Sequence, residues 1–331
     1  MKNRISSTEH DSMDALLRPS AWNEYVGQEK VKTSLRLMID AAKKRKEAVD
    51  HVLLYGAAGL GKTTLAYLIS KEMGVPIKST TGPALERAGD VAAILSNVEP
   101  HEILFIDEVH RINTLVEETL YPALESGRLH LVVGKGQSAR AFSLELPPFT
   151  VIGATTKVSV LSNPLRSRFG ATFKLEYYGT GDIERILSRS ARVLGTSIDE
   201  EAVNILARSA RATPRVANRL LKRARDYAEV KGSGIITGEI AKKTLELLEI
   251  DELGLERADR ELLAVILTKF GGGPVGVKSL AAALSEEIGT IEDVYEPFLL
   301  SRGLLERTSS GRVAPRAAKE HLKMPSSEGL L

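Results

Sequence analysis

The sequence contains no cysteine among its 331 residues. This absence excludes a disulfide framework, a thiolate zinc site, an iron–sulfur cluster and a cysteine nucleophile. It also agrees with a reducing compartment, so we expect a cytoplasmic protein. Tryptophan is scarce as well, and the single example, Trp22, is expected to serve packing.

Long apolar runs and a one-sided charge are also missing. No run approaches the roughly 20 apolar residues that a membrane-spanning helix needs, and the polar segment 1–18 lacks the pattern of a signal peptide. We therefore expect no membrane association. The 45 Lys and Arg residues nearly balance the 43 Asp and Glu residues, so the net charge of +2 does not by itself indicate a nucleic-acid partner.

Three short apolar runs define the first region of the chain: residues 52–55, 103–106 and 151–154. Each run is continuously apolar, as expected for parallel strands that are covered on both faces. A helical pattern follows the first run, and Gly74 is placed to end that helix. Alternating strands and helices predict an α/β fold with a doubly wound parallel sheet over residues 1–179.

From residue 180 the pattern changes to amphipathic helices, at 182–195, 199–212, 214–231 and 237–249. These helices predict a small all-helical domain over residues 180–254. Asp182, Asp199 and Thr213 are residue types suited to cap three of them.

The third region, 255–331, contains a glycine-rich break that cannot lie inside a helix. Helices are predicted on either side of it, at 258–270, 277–288 and 291–302. Two short segments that flank a polar turn at 308–311 then predict a β-hairpin. Three helices followed by a hairpin are the pattern of a winged-helix domain. We expect the tail from residue 324 onward to be disordered.

The strongest chemical signal is the run GAAGLGKT at residues 56–63. It matches the phosphate-loop pattern G-x-x-x-x-G-K-[ST] and lies between a predicted strand and a predicted helix, as the pattern requires. Glycines allow the backbone to wrap a phosphate chain and to point N–H groups toward it. Lys62 would reach the β- and γ-phosphates, and Thr63 would ligate Mg²⁺.

Polar residues also end the two other apolar runs. Asp107 and Glu108 follow one run directly, at the sheet edge that should carry the phosphate loop. Asp107 would hold Mg²⁺, and Glu108 would orient or deprotonate the attacking water. Thr155 and Thr156 end the neighbouring run, where either hydroxyl could reach the γ-phosphate or could simply cap the next segment.

Two arginine signals leave alternatives open. Arg166 and Arg168 follow Pro164 in what is either a solvated loop or an arginine finger offered to a neighbouring subunit's nucleotide. Arg215 opens a helix within the basic stretch 204–231, and it is either part of a solvated helix face or an arginine that closes a lid over the nucleotide.

Charge is unevenly distributed within the third region. Residues 297–324 carry six Lys and Arg residues against two acidic residues, whereas residues 255–296 carry four against eight. Because the basic part coincides with the predicted hairpin, it is suited to sequence-independent contacts with DNA phosphates. A solvated charged face is the alternative. The six histidines suggest no metal cluster, and His110 is expected to be structural.

In the order of its motifs, the chain resembles the AAA+ ATPases. Within that superfamily it resembles the RuvB family, the bacterial ATPases that drive branch migration of Holliday junctions. The resemblance covers residues 14–323. The segments that carry it are 18–28, 105–111, 134–140, 146–149, 153–156, 164–170 and 270–276.

The resemblance implies an ATP site with Mg²⁺. The adenine pocket would be lined by Leu17, Arg18, Tyr25 and Val26 and closed by Tyr178. The phosphates would be held by Gly59, Gly61, Lys62, Thr63 and Thr64, and the metal by Thr63 and Asp107. The resemblance also implies a catalytic set in which Glu108 acts on the water, Thr156 is the sensor-1 residue, Arg168 is a finger acting in trans and Arg215 is the sensor-2 arginine acting in cis.

The resemblance further implies DNA and protein partners. Arg307 and Arg312, on either side of the wing turn, would contact phosphates of double-stranded DNA at Holliday junctions. The hairpin 129–146 would dock on RuvA, with Phe142 as an apolar anchor. The family also implies a homohexameric ring on DNA, with RuvC as a partner when junctions are resolved.

Two positions depart from the family pattern. The phosphate loop has Ala57 and Ala58 where the family usually has two prolines, and the hairpin reads Ala-Phe-Ser at 141–143 where the family usually has an Ile-Arg pair. Two other functions were weighed against the motor: an AAA+ switch such as a clamp loader or replication initiator, and a protein remodeller. The hairpin and the glycine-rich break favour the motor, and no aromatic pore loop supports the remodeller.

Overall fold

The computed structural model describes residues 15–133 and 140–323. The chain forms two compact units, the first ending at Asp182 and the second beginning at Ile183. No helix within the described ranges is long and apolar enough to cross a membrane. The expected disordered tail from residue 324 and most of the family segment 134–140 lie outside the described residues.

The described part of the first unit contains seven strands: β1 (Val52–Tyr55), β2 (Ile77–Thr81), β3 (Ile103–Asp107), β4 (Arg128–Val133), β5 (Arg140–Glu145), β6 (Thr150–Thr155) and β7 (Ala171–Lys174). Five of them form one sheet in the order β2-β3-β6-β1-β7, and every pairing in it is parallel. The three apolar runs of the sequence are its central strands β3, β6 and β1, which confirms the predicted parallel sheet. β4 and β5 form a separate antiparallel hairpin.

The helices of the first unit alternate with these strands: α1 (Glu29–Arg45), α2 (Lys62–Met73), α3 (Ala88–Leu95), α4 (Thr114–Ser126) and α5 (Asn163–Ser167). Helix α2 ends where the sequence predicts, because Gly74 takes the left-handed conformation and its N–H donates to the carbonyl of Lys71. Helix α4 begins at Asn113, whose side chain accepts the N–H of Val116.

The main apolar core lies where α3 and α4 meet the central sheet. Leu104 and Ile106 of β3, Val116 and Leu120 of α4 and Leu129 of β4 are among its buried members. Burying one such side chain contributes roughly 1.5–3 kcal/mol. Since Leu129 belongs to β4, this core also fixes the base of the hairpin.

The second unit starts within helix α6 (Thr180–Val193) and continues with β8 (Ser197–Ile198), α7 (Glu200–Arg208), α8 (Pro214–Lys231), β9 (Ile235–Ile236) and α9 (Gly238–Leu247). Asp199 and Thr213 cap α7 and α8 by accepting the N–H groups of Ala202 and Val216, as predicted. The predicted cap at Asp182 is wrong, because α6 begins earlier and places this residue inside its first turn.

The remainder of the second unit consists of helices and a hairpin: α10 (Arg257–Lys269), α11 (Val277–Leu284), α12 (Ile288–Thr290), a π-helical turn (Ile291–Tyr295), α13 (Glu296–Ser301), β10 (Glu306–Thr308), β11 (Gly311–Val313) and α14 (Arg316–His321). Helix α11 ends earlier than predicted because Ser285 turns left-handed, with φ 56°. The hairpin turn is also shorter than predicted, since Thr308 and Gly311 are paired strand residues.

The glycine-rich break packs directly against the wing. Val275 and Arg312 exchange N–H···O=C hydrogen bonds of 2.9 and 2.8 Å, so the break adds a third, short segment beside β11. A side chain on Gly273 would overlap the carbonyl of Arg312. The break therefore needs glycine for close approach of two backbones.

Candidate functional site

The carboxyl edge of the central sheet brings the predicted nucleotide residues together. Tyr55 at the end of β1 pairs with Thr155 at the end of β6, and β6 lies beside β3, which ends at Asp107. The N–H of Gly56 donates to the carbonyl of Thr155 over 3.2 Å, so the phosphate loop starts against β6. Ligands of open α/β sheets bind at this edge.

The phosphate loop has the backbone geometry that its glycines permit. Gly56, Gly59 and Gly61 have φ of 144°, 80° and 97°. Lys62 is 8% exposed, and its Nζ donates to the carbonyl oxygens of Gly56 (2.7 Å) and Ala57 (2.8 Å). The lysine ammonium thus lies inside the loop, where it would meet phosphate oxygens. Thr63 and Thr64 follow in the first turn of α2.

Tyr25 and Tyr178 meet beside the phosphate loop. Their hydroxyl oxygens lie 3.3 Å apart, at 3.5 and 3.2 Å from the carbonyl oxygen of Leu60. A methyl group on Gly61 would lie 2.8 Å from the Tyr25 hydroxyl. Burial raises the pKa of both phenols, which therefore stay neutral hydrogen-bonding groups. The structure brings these two predicted adenine-pocket residues together.

The rest of the predicted adenine pocket lies on the segment before α1. Leu17 is 3% exposed, Val26 is half-buried, and the guanidinium of Arg18 lies 5.2 Å from the centroid of the Tyr67 ring. The contact that holds this segment in place, between Gln28 and Glu176, was not predicted from the sequence. The Gln28 side chain donates to the carbonyl of Glu176 (2.7 Å) and accepts its N–H (3.1 Å).

The two acids at the end of β3 differ in conformation. Asp107 accepts the N–H of Glu108 over 2.9 Å. Glu108 is left-handed (φ 49°), and its carboxylate pairs with Arg111 at 3.0 Å. A methyl group on Gly82 would overlap the Glu108 carbonyl, so the backbone at Gly82 packs closely against Glu108. Arg111 was not singled out in the sequence, although it lies one helical turn after the acid.

The structure distinguishes the two strand-end threonines. Thr155 is buried, and its hydroxyl lies 2.9 Å from Nδ1 of His110 and accepts the N–H of Lys157. Thr156 is exposed at the same edge. Thr155 therefore joins β6 to the turn after Asp107–Glu108, which agrees with a structural role for His110, whereas Thr156 remains exposed.

Arg168 is held against helix α4. Its Nη1 donates to the carbonyl of Pro164 (2.7 Å), its Nη2 to Glu125 (2.9 Å), and its guanidinium stacks 4.4 Å from the Tyr121 ring centroid. The Nε of Arg168 is buried without a hydrogen-bond partner among the described residues. Arg166 instead donates to Asn163 beside it.

A buried carboxylate supports the aromatic ring under Arg168. Glu117 is 6% exposed and accepts hydrogen bonds from Tyr121 (3.0 Å) and from Ser162 (2.5 Å). Ser162 in turn caps helix α5, which carries the arginine segment. Helical spacing of Glu117, Tyr121 and Glu125 is visible in the sequence, but nothing in the sequence pairs that face with Arg168.

Two groups of predicted residues lie in the second unit. Arg215 is exposed and is the second residue of α8. Arg307 and Arg312 face each other across the hairpin and share two acids of the preceding helical segment, Glu292 and Glu296. Arg307 is half exposed, with 50% side-chain exposure, whereas Arg312 is 11% exposed and Glu296 fully buried.

The β4–β5 hairpin exposes apolar side chains. Phe142 is 52% exposed and Leu144 is 40% exposed, both on β5. The base of the hairpin is closed by Arg128 and Glu145, whose charged groups lie 3.2 Å apart. Two exposed apolar residues on a strand that projects from the core are suited to a protein partner.

The donor groups fit a nucleotide with Mg²⁺. Residues with positive φ, here Gly56, Gly59 and Gly61, let successive backbone N–H groups of a loop converge as an anion nest, and Lys62 adds a cation. A threonine hydroxyl and an aspartate carboxylate are hard oxygen ligands of the kind that Mg²⁺ prefers. Within the described residues, no cluster of three or more His, Asp or Glu side chains offers an alternative metal site.

A parallel sheet whose central strands end in a phosphate loop, an Asp-Glu pair and a threonine defines an AAA+ ATPase. Comparison with known families identifies it further. The model described as the P-loop domain of the Holliday junction DNA helicase RuvB matches residues 17–175. The models of the RuvB AAA lid domain and the RuvB C-terminal winged-helix domain match residues 178–251 and 252–323. The chain belongs to the RuvB family.

Solved structures agree with this assignment. The RuvB Holliday junction branch migration motor of Thermotoga maritima is 44% identical in sequence and superposes with a TM-score of 0.85, covering 94% of this chain and 99% of that one. A proline-to-glycine mutant of the Thermotoga protein, also 44% identical, gives a TM-score of 0.86, with 93% and 99% covered. An arginine-to-alanine variant gives 0.84, with 44% identity and 94% and 99% covered.

Proposed function

We propose that this chain is the ATP-driven motor subunit that moves Holliday junctions during recombination and repair. The observation that carries the proposal is the combination, in one chain of the RuvB family, of a complete phosphate-loop site and a winged-helix fold with arginines on its wing. ATP hydrolysis at the phosphate-loop site would be coupled to movement of double-stranded DNA held by the wing.

Each residue at the sheet edge is assigned one task. Bound ATP with Mg²⁺ supplies the phosphoanhydride whose hydrolysis drives the motor. Lys62 exchanges its bonds to loop carbonyls for phosphate oxygens, and Thr63 and Asp107 hold the metal. Glu108 orients the attacking water or takes its proton, and Arg111 holds that carboxylate until then. Thr156, as the sensor-1 residue, contacts the γ-phosphate through its hydroxyl.

Two arginines complete the site in this proposal. Arg168 serves the nucleotide of the neighbouring subunit in a homohexamer, where its guanidinium would exchange the pair with the exposed Glu125 carboxylate for phosphate oxygens. Its stacking on Tyr121 keeps the guanidinium in place between encounters. Arg215 contacts the nucleotide of its own subunit from the start of α8.

DNA is assigned to the wing. Arg307 contacts backbone phosphates through its exposed half, and Arg312 does so only when its pairs with Glu292 and Glu296 open. Because phosphate contacts carry no sequence information, this interface suits a motor that must pass any sequence. RuvA is the proposed partner of the β4–β5 hairpin through Phe142, and RuvC joins when junctions are resolved.

The test uses a synthetic four-way junction with a labelled strand. The purified chain with ATP and Mg²⁺ should dissociate it into duplexes, with strong enhancement by RuvA, and Glu108→Gln should bind the junction without dissociating it. An intact junction under all conditions, despite normal ATP hydrolysis, would replace the motor with an AAA+ switch that uses ATP only for assembly.

The hairpin is tested by separating two readouts. Phe142→Ala should retain the ATPase activity of the chain alone and lose most of the enhancement by RuvA, because apolar anchors dominate such interfaces. Leu37→Ala removes another exposed apolar residue, on α1 (71% exposed against 52% for Phe142), and serves as the matched control. Equal loss in both variants would count against the hairpin as the docking element.

A further inference from the structure

Two consecutive residues immediately before helix α8 have a backbone conformation that side chains disfavour. Arg211 and Ala212 have φ of 52° and 53°. In this left-handed region the Cβ crowds the following carbonyl oxygen. Strain of this kind persists only where the surrounding structure over-determines the conformation, and it is concentrated at functional sites.

Residues of the winged-helix region hold this strained loop. Nη1 and Nη2 of Arg211 donate to the two carboxylate oxygens of Asp259, at 2.8 and 3.3 Å. The same guanidinium stacks 4.2 Å from the ring centroid of Phe298. Asp259 and Phe298 are 1% and 3% exposed. A buried carboxylate is costly without its cation, so the ion pair is able to enforce the loop conformation.

The strained loop determines where α8 begins. The Thr213 N–H donates to the carbonyl of Ala210 (3.1 Å), and the Thr213 hydroxyl accepts the N–H of Val216 (3.4 Å) as the helix cap. Arg215 is two residues beyond the cap. Helix α8 is continuous from residue 214 onward. A displacement of the loop at Arg211 therefore moves Arg215, which lies four residues further on.

We propose that Arg211 is a positioning residue for nucleotide binding: anchored on Asp259 and Phe298, it sets the start of α8 and thereby the placement of Arg215. The inference rests on the nucleotide contact proposed for Arg215. It makes the winged-helix domain a determinant of ATP affinity inside one subunit, through a contact that touches neither ATP nor DNA. Linkage then requires that nucleotide binding and the state of this contact influence each other reciprocally.

A double-mutant cycle on the full chain tests the path. Binding of a fluorescent ATP analogue is measured for Arg211→Ala, Arg215→Ala and the double variant. Arg211→Ala should weaken binding on the order of tenfold, and this effect should disappear in the Arg215→Ala background. An effect of Arg211→Ala that is unchanged in that background, or no effect at all, overturns the proposal.

The single variant Arg215→Ala separates the two hypotheses. If it weakens binding of the analogue while Arg211→Ala does not, the proposed role of Arg215 stands and the positioning role of Arg211 fails. If it leaves binding unchanged, the nucleotide contact itself is wrong, and the positioning proposal falls with it.

Two substitutions of Ala212 test the loop without removing the ion pair. Valine is poorly tolerated at positive φ, so Ala212→Val should displace the loop and weaken binding of the ATP analogue as Arg211→Ala does. Glycine accepts the conformation freely, so Ala212→Gly should bind normally. Wild-type affinity for Ala212→Val, in protein shown by circular dichroism to be folded, overturns the proposal.

A neighbouring ion pair supplies the matched control. Arg219 of α8 pairs with the Glu256 side chain over 2.7 Å and joins the same two regions, and its removal leaves both bonds of Arg211 to Asp259 in place. Arg219→Ala should leave binding of the analogue unchanged. If it weakens binding as much as Arg211→Ala does, general loosening of the unit explains both effects, and the specific role of Arg211 is wrong.

Discussion

Arg168 has two states in the proposed cycle, and only one of them is visible within a single subunit. At rest it stacks on Tyr121 and pairs with Glu125. The pair with Glu125 is an exposed one, in which the carboxylate side chain is 66% exposed, so it costs little to break.

The first prediction concerns this residue. Arg168→Ala should lower ATP hydrolysis by ~10³–10⁵-fold, because a finger neutralises charge that develops only in the transition state. Binding of a fluorescent ATP analogue should be unchanged. Arg166→Ala removes the neighbouring arginine and serves as the control, with hydrolysis expected near wild type. Loss of nucleotide binding together with turnover would contradict a finger role.

Subunit mixing tests whether the finger acts in trans. Arg168→Ala and Glu108→Gln should each be inactive alone. Mixed one to one, about a quarter of the interfaces would combine an intact Glu108 with an intact Arg168 from the neighbour. ATPase activity should therefore reappear on mixing, and its absence from mixed assemblies would indicate that both residues serve the same subunit's site.

The second prediction concerns His51, a partly buried residue directly before β1. Its Nδ1 accepts the N–H of Val151 (2.9 Å), so the proton lies on Nε2, which faces the carbonyl of Leu124 (3.1 Å). Burial lowers the pKa of this imidazole below its ordinary value. The folded state therefore resists protonation more than the unfolded state does.

The sign of the pH effect is set by that direction. The contribution of His51 to stability is fully present above the unfolded-state pKa of about 6.5 and is lost as the pH falls from there through the folded-state pKa. Urea denaturation at pH 7.5 and pH 5 should show this loss, and His51→Gln should reduce the difference. His130→Gln, at an exposed position, should leave the difference unchanged.

Residue types at the nucleotide site could be predicted because their spacing and their place at strand ends are sequence properties. Lys62, Asp107 and Glu108 lie where the sequence places them. Spacing alone could not decide between Thr155 and Thr156, and only the family resemblance favoured Thr156. The choice depends on which hydroxyl His110 contacts, across 45 residues. The contacts of Arg168 with Tyr121 and Glu125 of α4 could not be predicted either, because they also join residues far apart in the sequence.

At the scale of elements, one ion-pair cluster in the wing serves both the proposed binding of DNA and the stability of the fold. Its two arginines meet Glu292 on the π-helical turn and Glu296 at the start of α13. Glu292 and Glu296 are four residues apart and therefore lie on one face of the helical segment. Both acids meet the two arginines of the hairpin, and the cluster is neutral as a whole.

The third prediction separates the two arginines. Arg307→Gln should weaken DNA binding and reduce the slope of log K against log salt by about one, because one phosphate contact is lost. Arg312→Gln should lower the thermal midpoint more than Arg307→Gln, since Glu296 is buried and Arg312 is its less exposed partner. Lys242→Gln, which removes a lysine from an exposed ion pair on helix α9 outside the winged-helix region, should leave both quantities near wild type.

Most elements could be predicted, and their ends were the weak point. The apolar runs became β1, β3 and β6 because a parallel sheet buries both faces. The end of α11 was missed since Ser285 adopts a conformation more often taken by glycine. The pair β8–β9 was missed because two residues are too few to form a periodic pattern.

The whole molecule gives the fourth prediction. If each site takes Arg168 from a neighbour, an isolated subunit has no complete site. ATPase activity per subunit should therefore rise with protein concentration and level off once assembly is complete, as mass photometry of the same samples would show. Activity per subunit that is constant down to fully monomeric protein would indicate a site completed in cis.

The lid and the winged-helix region share one compact unit, and this has a consequence for anyone who wishes to transplant the DNA-binding part. Besides Arg211, the contact between His321 and Asp251, at 2.8 Å, joins the two regions. A transplanted fragment that began near residue 254 would lack Arg211. Asp259 would then lose its ion-pair partner, and Phe298 would become more exposed. The portable module therefore begins near residue 183, and a recipient protein acquires the lid together with the wing.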